Sequence, residues 1–326
     1  MDGFLENYVA KNGSTSKSTK TTLRSSLRRL EKVIKLPFDE WTKNTFDNST
    51  EIVNILSEDY SVNTIILTIL AIIRFLEVKE GKEKTLDTYR ELLNEIIQER
   101  TKEEHSQKSS ENEKDNWIDY ETLKDKVEAE ASDYLNKKKS FTKFRNFLIL
   151  ALFSLQPPTR IGNYLDMKVR MNGKKDIKSL NKKFNYITKK DGKYRMIFNK
   201  YKTSKYLGKI DYTIENEILT QLLDKWLKDY NTTNELFINV NKKAMTQPNF
   251  TQAQQSITRS LLGKTLTTNM FRHIYLTWFL AQNPSIEEKK KVAQMVGQTY
   301  KPTRMELYER KGNEGEENTE ENEIIL

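Results

Sequence analysis

The N-terminal part of the chain repeats apolar residues at helical spacing. They recur every three or four positions from Leu23 to Ile34, which predicts a helix over residues 18–34 that ends before Pro37. The same spacing predicts three further helices, over residues 50–57, 62–78 and 85–100. Residues 1–100 are therefore predicted to form a small helical domain.

The middle of the chain contains a polar segment followed by a strongly apolar one. Residues 101–116 have no aliphatic or aromatic side chain, so they are predicted to be a linker between two domains. After a predicted helix over residues 120–136, residues 141–155 are almost continuously apolar, which predicts the buried central helix of the second domain. Helical spacing then predicts helices over residues 215–230, 249–262, 267–281, 286–296 and 303–310.

Between Phe184 and Thr213 the apolar period shortens from that of a helix to that of a strand. Asp191-Gly192 is a typical two-residue hairpin turn, and a later strand is predicted over residues 206–213. We therefore expect a mainly α fold with a small antiparallel β-sheet of three strands. A further short strand is predicted over residues 236–239.

Composition narrows the chemistry that the chain can perform. With 0 Cys and 2 His, disulfides, cysteine nucleophiles and thiolate zinc sites are excluded, and we expect neither a metal nor a cofactor. The formal net charge is +9, but residues 312–326 carry six Glu and no Lys or Arg, so the preceding residues carry +15. This surplus favours a polyanionic partner such as nucleic acid, although a merely soluble, lysine-rich protein would also have it.

The sequence gives no support for membrane insertion or secretion. No apolar run reaches the length of a membrane-spanning helix, and the acidic residues 1–10 contain no apolar signal segment. We therefore expect an intracellular protein with no membrane partner.

Polar segments of the second predicted domain carry side chains suited to phosphate chemistry. Arg160 follows Pro157-Pro158 at the end of the predicted central helix, and its planar guanidinium can donate to two phosphate oxygens at once. Lys202 lies between two predicted strands, with Lys200 and Lys205 as close alternatives. Taken singly, an exposed arginine or lysine is most simply a solvated surface residue.

Two further segments lie nearer the C-terminus. Asn269 and Arg272 open a predicted helix at a spacing of three, which puts both on one face near the helix N-terminus. His273 lies on another face and is expected to be structural. Gln298 lies two residues after the next predicted helix, and Tyr308 lies in the last one, where core packing would be its ordinary role.

In this order and spacing, the four segments resemble the signature of the tyrosine recombinase (phage integrase) family, over about residues 117–310. The resemblance implies that Arg160 and Arg272 stabilise negative charge on a phosphorus and that Tyr308 is the nucleophile. It also implies that Lys202 donates a proton to the departing 5′ oxygen, from a flexible hairpin that arrives only when DNA is bound.

Three supporting positions depart from the pattern of the family. Asn163 stands where a carboxylate is common, Asn269 where a His is usual, and Gln298 where His or Trp is common. Asn269 and Gln298 can still donate hydrogen bonds to phosphate oxygens, but neither can act as a base. Gln298 and Tyr308 are one residue further apart than usual, and Tyr300 is too close to the preceding helix to replace Tyr308.

The resemblance implies a helical core-binding domain over residues 1–100, a mixed α/β catalytic domain over residues 117–310 and an acidic tail over residues 311–326. It further implies a site-specific recombinase or integrase that cleaves and rejoins double-stranded DNA through a 3′-phosphotyrosyl intermediate. Such an enzyme would act as a homo-oligomer, from dimer to tetramer, on its DNA. A type IB topoisomerase-like enzyme and an inactive DNA-binding relative are the alternatives.

Two weaker indications concern the biological setting. The Lys-rich and Asn-rich composition would suit the AT-rich genome of a mobile element or virus. The tail ends in Ile324-Ile325-Leu326, which could dock on a neighbouring protomer, although a disordered acidic tail is an equally good interpretation.

Overall fold

The computed structural model describes residues 1–12, 17–105, 111–171, 180–298, 300 and 305. The chain divides into two compact units, residues 1–106 and residues 107–326, so the break falls within the polar segment 101–116. Among the described residues, no helix combines the length and the apolar character needed to cross a membrane.

The described residues of the N-terminal unit form helices joined by turns, with no β-strand. Its helices are α1 (Asp2–Asn12), α2 (Lys17–Ile34), α3 (Ser49–Asp59), α4 (Val62–Val78) and α5 (Glu83–His105), with a 3-10 turn at Phe38–Glu40. The helices predicted from apolar spacing are confirmed, and α5 extends five residues beyond its predicted end at Arg100. Helix α4 contacts each of the other four helices, and its Ile69 and Ile72 are fully buried.

Aromatic packing explains why α1 was not predicted from the sequence. The ring of Phe75 on α4 contacts the rings of Phe4, Phe38, Trp41 and Phe46, with centroids 5.3 to 5.7 Å apart. Among residues 2–9 of α1, whose side chains the structure describes, the buried ones are Phe4 and Leu5. Two apolar contacts are too few to produce a helical repeat that can be recognised in the sequence.

The C-terminal unit surrounds one buried helix. Its helices are α6 (Glu111–Asn116), α7 (Tyr120–Asn136), α8 (Phe141–Ser154), α9 (Ser204–Leu207), α10 (Glu217–Lys225), α11 (Gln247–Leu262), α12 (Thr268–Ala281) and α13 (Ile286–Met295). Helices α7, α10, α11 and α12 all pack on α8, which is buried at every position from Phe147 to Ser154. The prediction of a central helix at 141–155 is confirmed. A π-helical turn, Trp226–Tyr230, ends the helix predicted over 215–230.

Helix α6 lies within the segment that was predicted to be a linker. Lys264 Nζ donates to the carbonyl of Asp115 at 2.8 Å, and the backbone N–H of Thr265 donates to Asn116 Oδ1 at 2.7 Å. Residues 111–116 are therefore attached to the C-terminal unit by hydrogen bonds, which an analysis of apolar spacing does not detect.

The sheet contains four strands among the described residues, in the order β1 (Lys168–Arg170), β2 (Tyr186–Lys190), β3 (Lys193–Phe198) and β4 (Ile210–Thr213). Strand β1 pairs with β2 in parallel, while β2–β3 and β3–β4 are antiparallel. The mainly α fold class and the antiparallel pairing of the three predicted strands, β2, β3 and β4, are confirmed, and β1 adds a fourth, parallel strand that makes the sheet mixed. Three residues are too short to show a strand period, which is why β1 was missed.

Local turns explain the other differences. Asp191 and Gly192 have φ values of 50° and 78°, as a tight hairpin between β2 and β3 requires, so this prediction is confirmed. The strand predicted over 206–213 begins only at Ile210, because α9 ends at Leu207 and Gly208 has a φ of 67°. The short strand predicted over 236–239 is reduced to an isolated bridge between Ile238 and Ala244.

Candidate active site

The turn after α8 orients Arg160. Arg160 precedes a 3-10 turn, Ile161–Asn163, and its guanidinium is partly buried. Arg160 Nη1 donates a hydrogen bond to the carbonyl of Gly297 at 2.9 Å. Thr159, beside it, is fully buried and accepts a hydrogen bond from Asn163 Nδ2 at 2.5 Å, which fixes the turn from inside.

Arg272 reaches the same place from a different element. It lies in the second turn of α12 and is 1% exposed, and its Nη1 donates to the carbonyl of Val296 at 3.2 Å. The two arginines thus bind consecutive carbonyls where α13 ends. A helix C-terminus carries partial negative charge, so it is an electrostatically favourable partner for both guanidinium groups.

Val296 and Gly297 form what we call the capping turn of α13. The N–H of Gly297 donates to the carbonyl of Gln294 at 2.9 Å, and the N–H of Gln298 donates to that of Ala293 at 2.8 Å, a pattern that closes many helices. Gly297 has a φ of 72°, a backbone conformation that favours glycine. A Cβ built there would lie 3.6 Å from Arg160 Nη1, so the backbone passes close to the guanidinium.

Lys202 lies in a turn that is attached to the same carbonyl. Thr203 Oγ1 donates to the carbonyl of Gly297 at 2.9 Å, the same oxygen that accepts from Arg160. Lys202 itself is exposed. Burial raises the pKa of Tyr201, which therefore stays protonated and donates to the carbonyl of Gly208 at 2.7 Å.

A cleft of about 640 Å³ lies beside these groups. The predicted residues Arg160, Lys202 and Asn269 all line it. Among the residues that the structure describes, the lining carries four cationic side chains and one carboxylate, namely Arg160, Lys183, Lys200, Lys202 and Asp166. Thr268 and Asn269 also place the N-terminus of α12 at the wall. Excess positive charge and a helix N-terminus together favour a phosphate-bearing ligand.

The remaining predicted residues have different surroundings. Gln298 is 4% exposed, and its side-chain oxygen accepts no hydrogen bond from any residue that the structure describes. His273 Nε2 lies 3.9 Å from Glu113 Oε1 of α6, which agrees with a structural role. Tyr308 lies outside the described residues, as does the tail from residue 306 onward. Met305, three positions earlier, is 1% exposed within the core of the C-terminal unit.

Sequence reasoning missed two residues of this region. Asn185, just before β2, is 4% exposed and hydrogen-bonds to both the turn of Arg160 and the turn of Lys202. Thr203 follows Lys202 and reaches the capping turn. Neither residue type is unusual at a strand start or in a turn, so the sequence contained no signal for these roles. Among the described residues, no group of three or more His, Asp or Glu side chains could hold a metal ion.

Comparison with known proteins identifies the architecture. No protein-family model and no curated protein matches the chain. A solved structure of the XerH site-specific recombinase bound to difH substrate, a pre-cleavage complex, is similar with a TM-score of 0.54 and 14% identity, over 94% of this chain and 90% of that one. The XerA recombinase structure has a TM-score of 0.38 and 14% identity, over 96% and 94%. From the XerH comparison, the chain has the fold of a site-specific recombinase.

Proposed function

We propose that the chain is a tyrosine-type site-specific DNA recombinase. One observation carries this proposal: Arg160 and Arg272 bind adjacent carbonyls of the capping turn, beside a cationic cleft that Lys202 and Asn269 line. These residues come from separate parts of the chain, and each occupies a position in the sequence signature of the family. The fold supports the same function, and the XerH structure that shares it was solved with DNA substrate.

The proposed reaction exchanges one phosphodiester for another. The phenolic oxygen of Tyr308 forms a bond to the scissile phosphorus, the bond from phosphorus to the 5′ oxygen breaks, and the phenolic proton passes to water. Lys202 donates a proton to the departing 5′ oxygen, which leaves as a hydroxyl. A 5′-hydroxyl of another strand later attacks the phosphotyrosyl bond, so the energy of the original linkage is retained and no nucleotide cofactor is consumed.

The arginines act on the charge that builds up on phosphorus. Each guanidinium has several donors, so Arg160 at the cleft wall can keep its bond to the capping turn while its remaining donors bind phosphate oxygens. Arg272, held by the adjacent carbonyl, contributes its positive charge from within the core. Asn269 at the cleft wall and Gln298 in the buried turn add neutral donors. Because these donors are fixed before the substrate arrives, little reorganisation is needed during the reaction.

The charge of the chain suits double-stranded DNA as the partner. Besides the cleft, α2 presents a row of cations at four-residue intervals, made up of Lys20, Arg24, Arg28 and Lys32. A spacing of four places them along one side of the helix, where they can follow a phosphate backbone. We propose that the protein assembles on DNA as a dimer to tetramer. We further propose that it acts inside the cell and is encoded by a mobile element or virus.

Covalent trapping tests the proposal. Purified protein is incubated with randomly nicked genomic DNA of the organism that encodes the chain, and adducts that survive SDS are recovered and sequenced. We expect wild-type protein and a Tyr300→Phe control to give adducts at one sequence, and Tyr308→Phe to give none. Adducts with Tyr308→Phe would show that the nucleophile is another residue, and no adducts with wild type would favour an inactive DNA-binding relative.

Plasmid relaxation distinguishes recombination from topoisomerase activity. A recombinase should join two copies of the recovered sequence and should depend on that sequence. Relaxation of supercoiled plasmids that lack the sequence, with no requirement for a second site, would instead support a type IB topoisomerase-like enzyme.

A further inference from the structure

The side-chain amide of Asn185 joins two segments of the cleft and makes all four of the hydrogen bonds that it can make. Its Nδ2 donates to the carbonyls of Asn163 at 2.8 Å and Lys200 at 2.9 Å. Its Oδ1 accepts from the N–H groups of Asn199 at 2.9 Å and Lys200 at 2.8 Å. A primary amide offers two donor hydrogens and two lone pairs, so all four positions are occupied. At 4% exposure, replacing any of these bonds by water would be difficult.

The consequence is that the main chain two residues before Lys202 is fixed. Both backbone polar groups of Lys200 bind the Asn185 side chain. The same side chain binds the carbonyl of Asn163, which lies in the 3-10 turn next to Arg160. Asn185 therefore sets the distance between the strand end that leads to the lysine and the turn that holds the arginine.

Thr203 fixes the chain on the other side of Lys202. Its hydroxyl donates to the carbonyl of Gly297, which also accepts from Arg160. Thr203 is partly buried and does not line the cleft, so it has no direct contact with a ligand there. Lys202 thus has an exposed side chain on a backbone that is held two residues before it, at Lys200, and one residue after it, at Thr203.

We propose that Asn185 and Thr203 are positioning residues, which together hold the turn of Lys202 against the arginine side of the cleft before DNA binds. This inference rests on the proposed function and replaces the expectation of a flexible hairpin. With the backbone fixed, only the lysine side chain has to be ordered on the substrate, which lowers the entropic cost of placing its ammonium group at the 5′ oxygen. Loss of either contact should impair proton donation selectively.

A change of leaving group separates proton donation from the other steps. In a substrate whose bridging 5′ oxygen is replaced by sulfur, the departing thiolate is a weak base and needs no proton. Lys202→Ala should therefore slow cleavage of the oxygen substrate strongly and leave cleavage of the sulfur substrate nearly unchanged. Both substrates are synthetic nicked duplexes that carry the sequence recovered by covalent trapping.

Thr203→Val removes the hydroxyl with little change in volume. We expect adduct formation on the oxygen substrate to slow by about tenfold or more, because a small misplacement of a catalytic group is costly. On the sulfur substrate the rate should stay within about twofold of wild type, because no acid is needed there. Thr203→Ser should restore the rate on the oxygen substrate. Thr188→Val, on β2 and away from the cleft lining, is the matched control and should match wild type on both.

Several outcomes would overturn the inference. Equal rates of Thr203→Val and wild type on the oxygen substrate would show that the contact is not needed. Equal slowing on both substrates would show a general structural role rather than positioning of the lysine. Asn185→Asp, which keeps the acceptor and loses both donors, should give the same selective pattern, and if it unfolds, Thr203→Val decides alone. Failure of wild type to form adducts would instead refute the proposed function.

Discussion

Replacing Gly297 by alanine should displace the carbonyl that binds both Arg160 and Thr203. Gly297 has a φ of 72°, where a residue with a Cβ is strained by about 1–2 kcal/mol. The added methyl group itself fits, because the nearest heavy atoms would be 3.6 Å away, which is ordinary contact. The cost is therefore backbone strain, and the alanine variant can relieve it by rotating the peptide group that follows.

Gly263→Ala is the matched control for this strain. Gly263 ends α11 with a φ of 68°, and a Cβ there would meet nothing within 4 Å. Each substitution should lower the melting temperature of the C-terminal unit by about 2–4 °C for each kcal/mol of strain. Intrinsic fluorescence reports mainly on this unit, because three of the four Trp residues lie in it, at positions 117, 226 and 278.

The two variants should differ in activity. Rotation of the 297 peptide weakens a hydrogen bond to a charged guanidinium, worth about 1.5–3 kcal/mol, which corresponds to about a 10-fold to 100-fold loss in the rate of adduct formation. Gly263→Ala should react at the wild-type rate. If the two variants are equally destabilised and equally active, the capping turn does not organise Arg160, and the reasoning is refuted.

Two further predictions concern DNA binding and stability. The double variant Arg28→Glu, Lys32→Glu on α2 should weaken DNA binding and reduce the magnitude of the slope of log affinity against log salt concentration by about 2. The control Lys79→Glu, Lys84→Glu makes an equal change in charge and should leave this slope nearly unchanged. Equal slopes for the two double variants would exclude α2 from the DNA contact. Although burial opposes it, hydrogen bonds from Arg195 and Lys209 hold the pKa of Asp211 below its usual value. Asp211→Asn should therefore lower the free energy of unfolding at neutral pH. Denaturant titrations should find that this difference shrinks as the pH falls below about 4, because the stabilisation is complete above the pKa of Asp211 in the unfolded chain and is lost as the pH falls through its lower pKa in the folded chain. A difference independent of pH would contradict this.

The sequence predicted the helices in which apolar residues recur at a regular helical spacing. Helices α2, α4, α7 and α8 begin and end within one residue of their predicted bounds, because each has a long apolar face or is buried on all sides. Helix α1 and strand β1 are held by a few tertiary contacts, and such contacts leave no repeat in the sequence. The parallel pairing of β1 with β2 could not be predicted from the sequence either, because strand pairing depends on contacts between segments that are distant along the chain.

The candidate site shows a similar division. Arg160, Lys202, Asn269, Arg272 and Gln298 were predicted from side-chain type and order along the chain. The way they are held together was not, because the shared partners of the arginines are main-chain carbonyls at Val296 and Gly297. Every residue has a carbonyl, so residue identity does not indicate which ones accept these bonds.

An anchor made of main chain also changes how such a site can diverge. Substituting a neighbouring side chain leaves the peptide oxygen of Gly297 in place, provided that the glycine keeps its conformation. Substitutions at Asn163, Asn269 or Gln298 therefore need not displace the main chain to which Arg160 and Arg272 are bound. Constraint on such an anchor would fall on one backbone angle, the φ of Gly297, more than on the identity of the surrounding side chains.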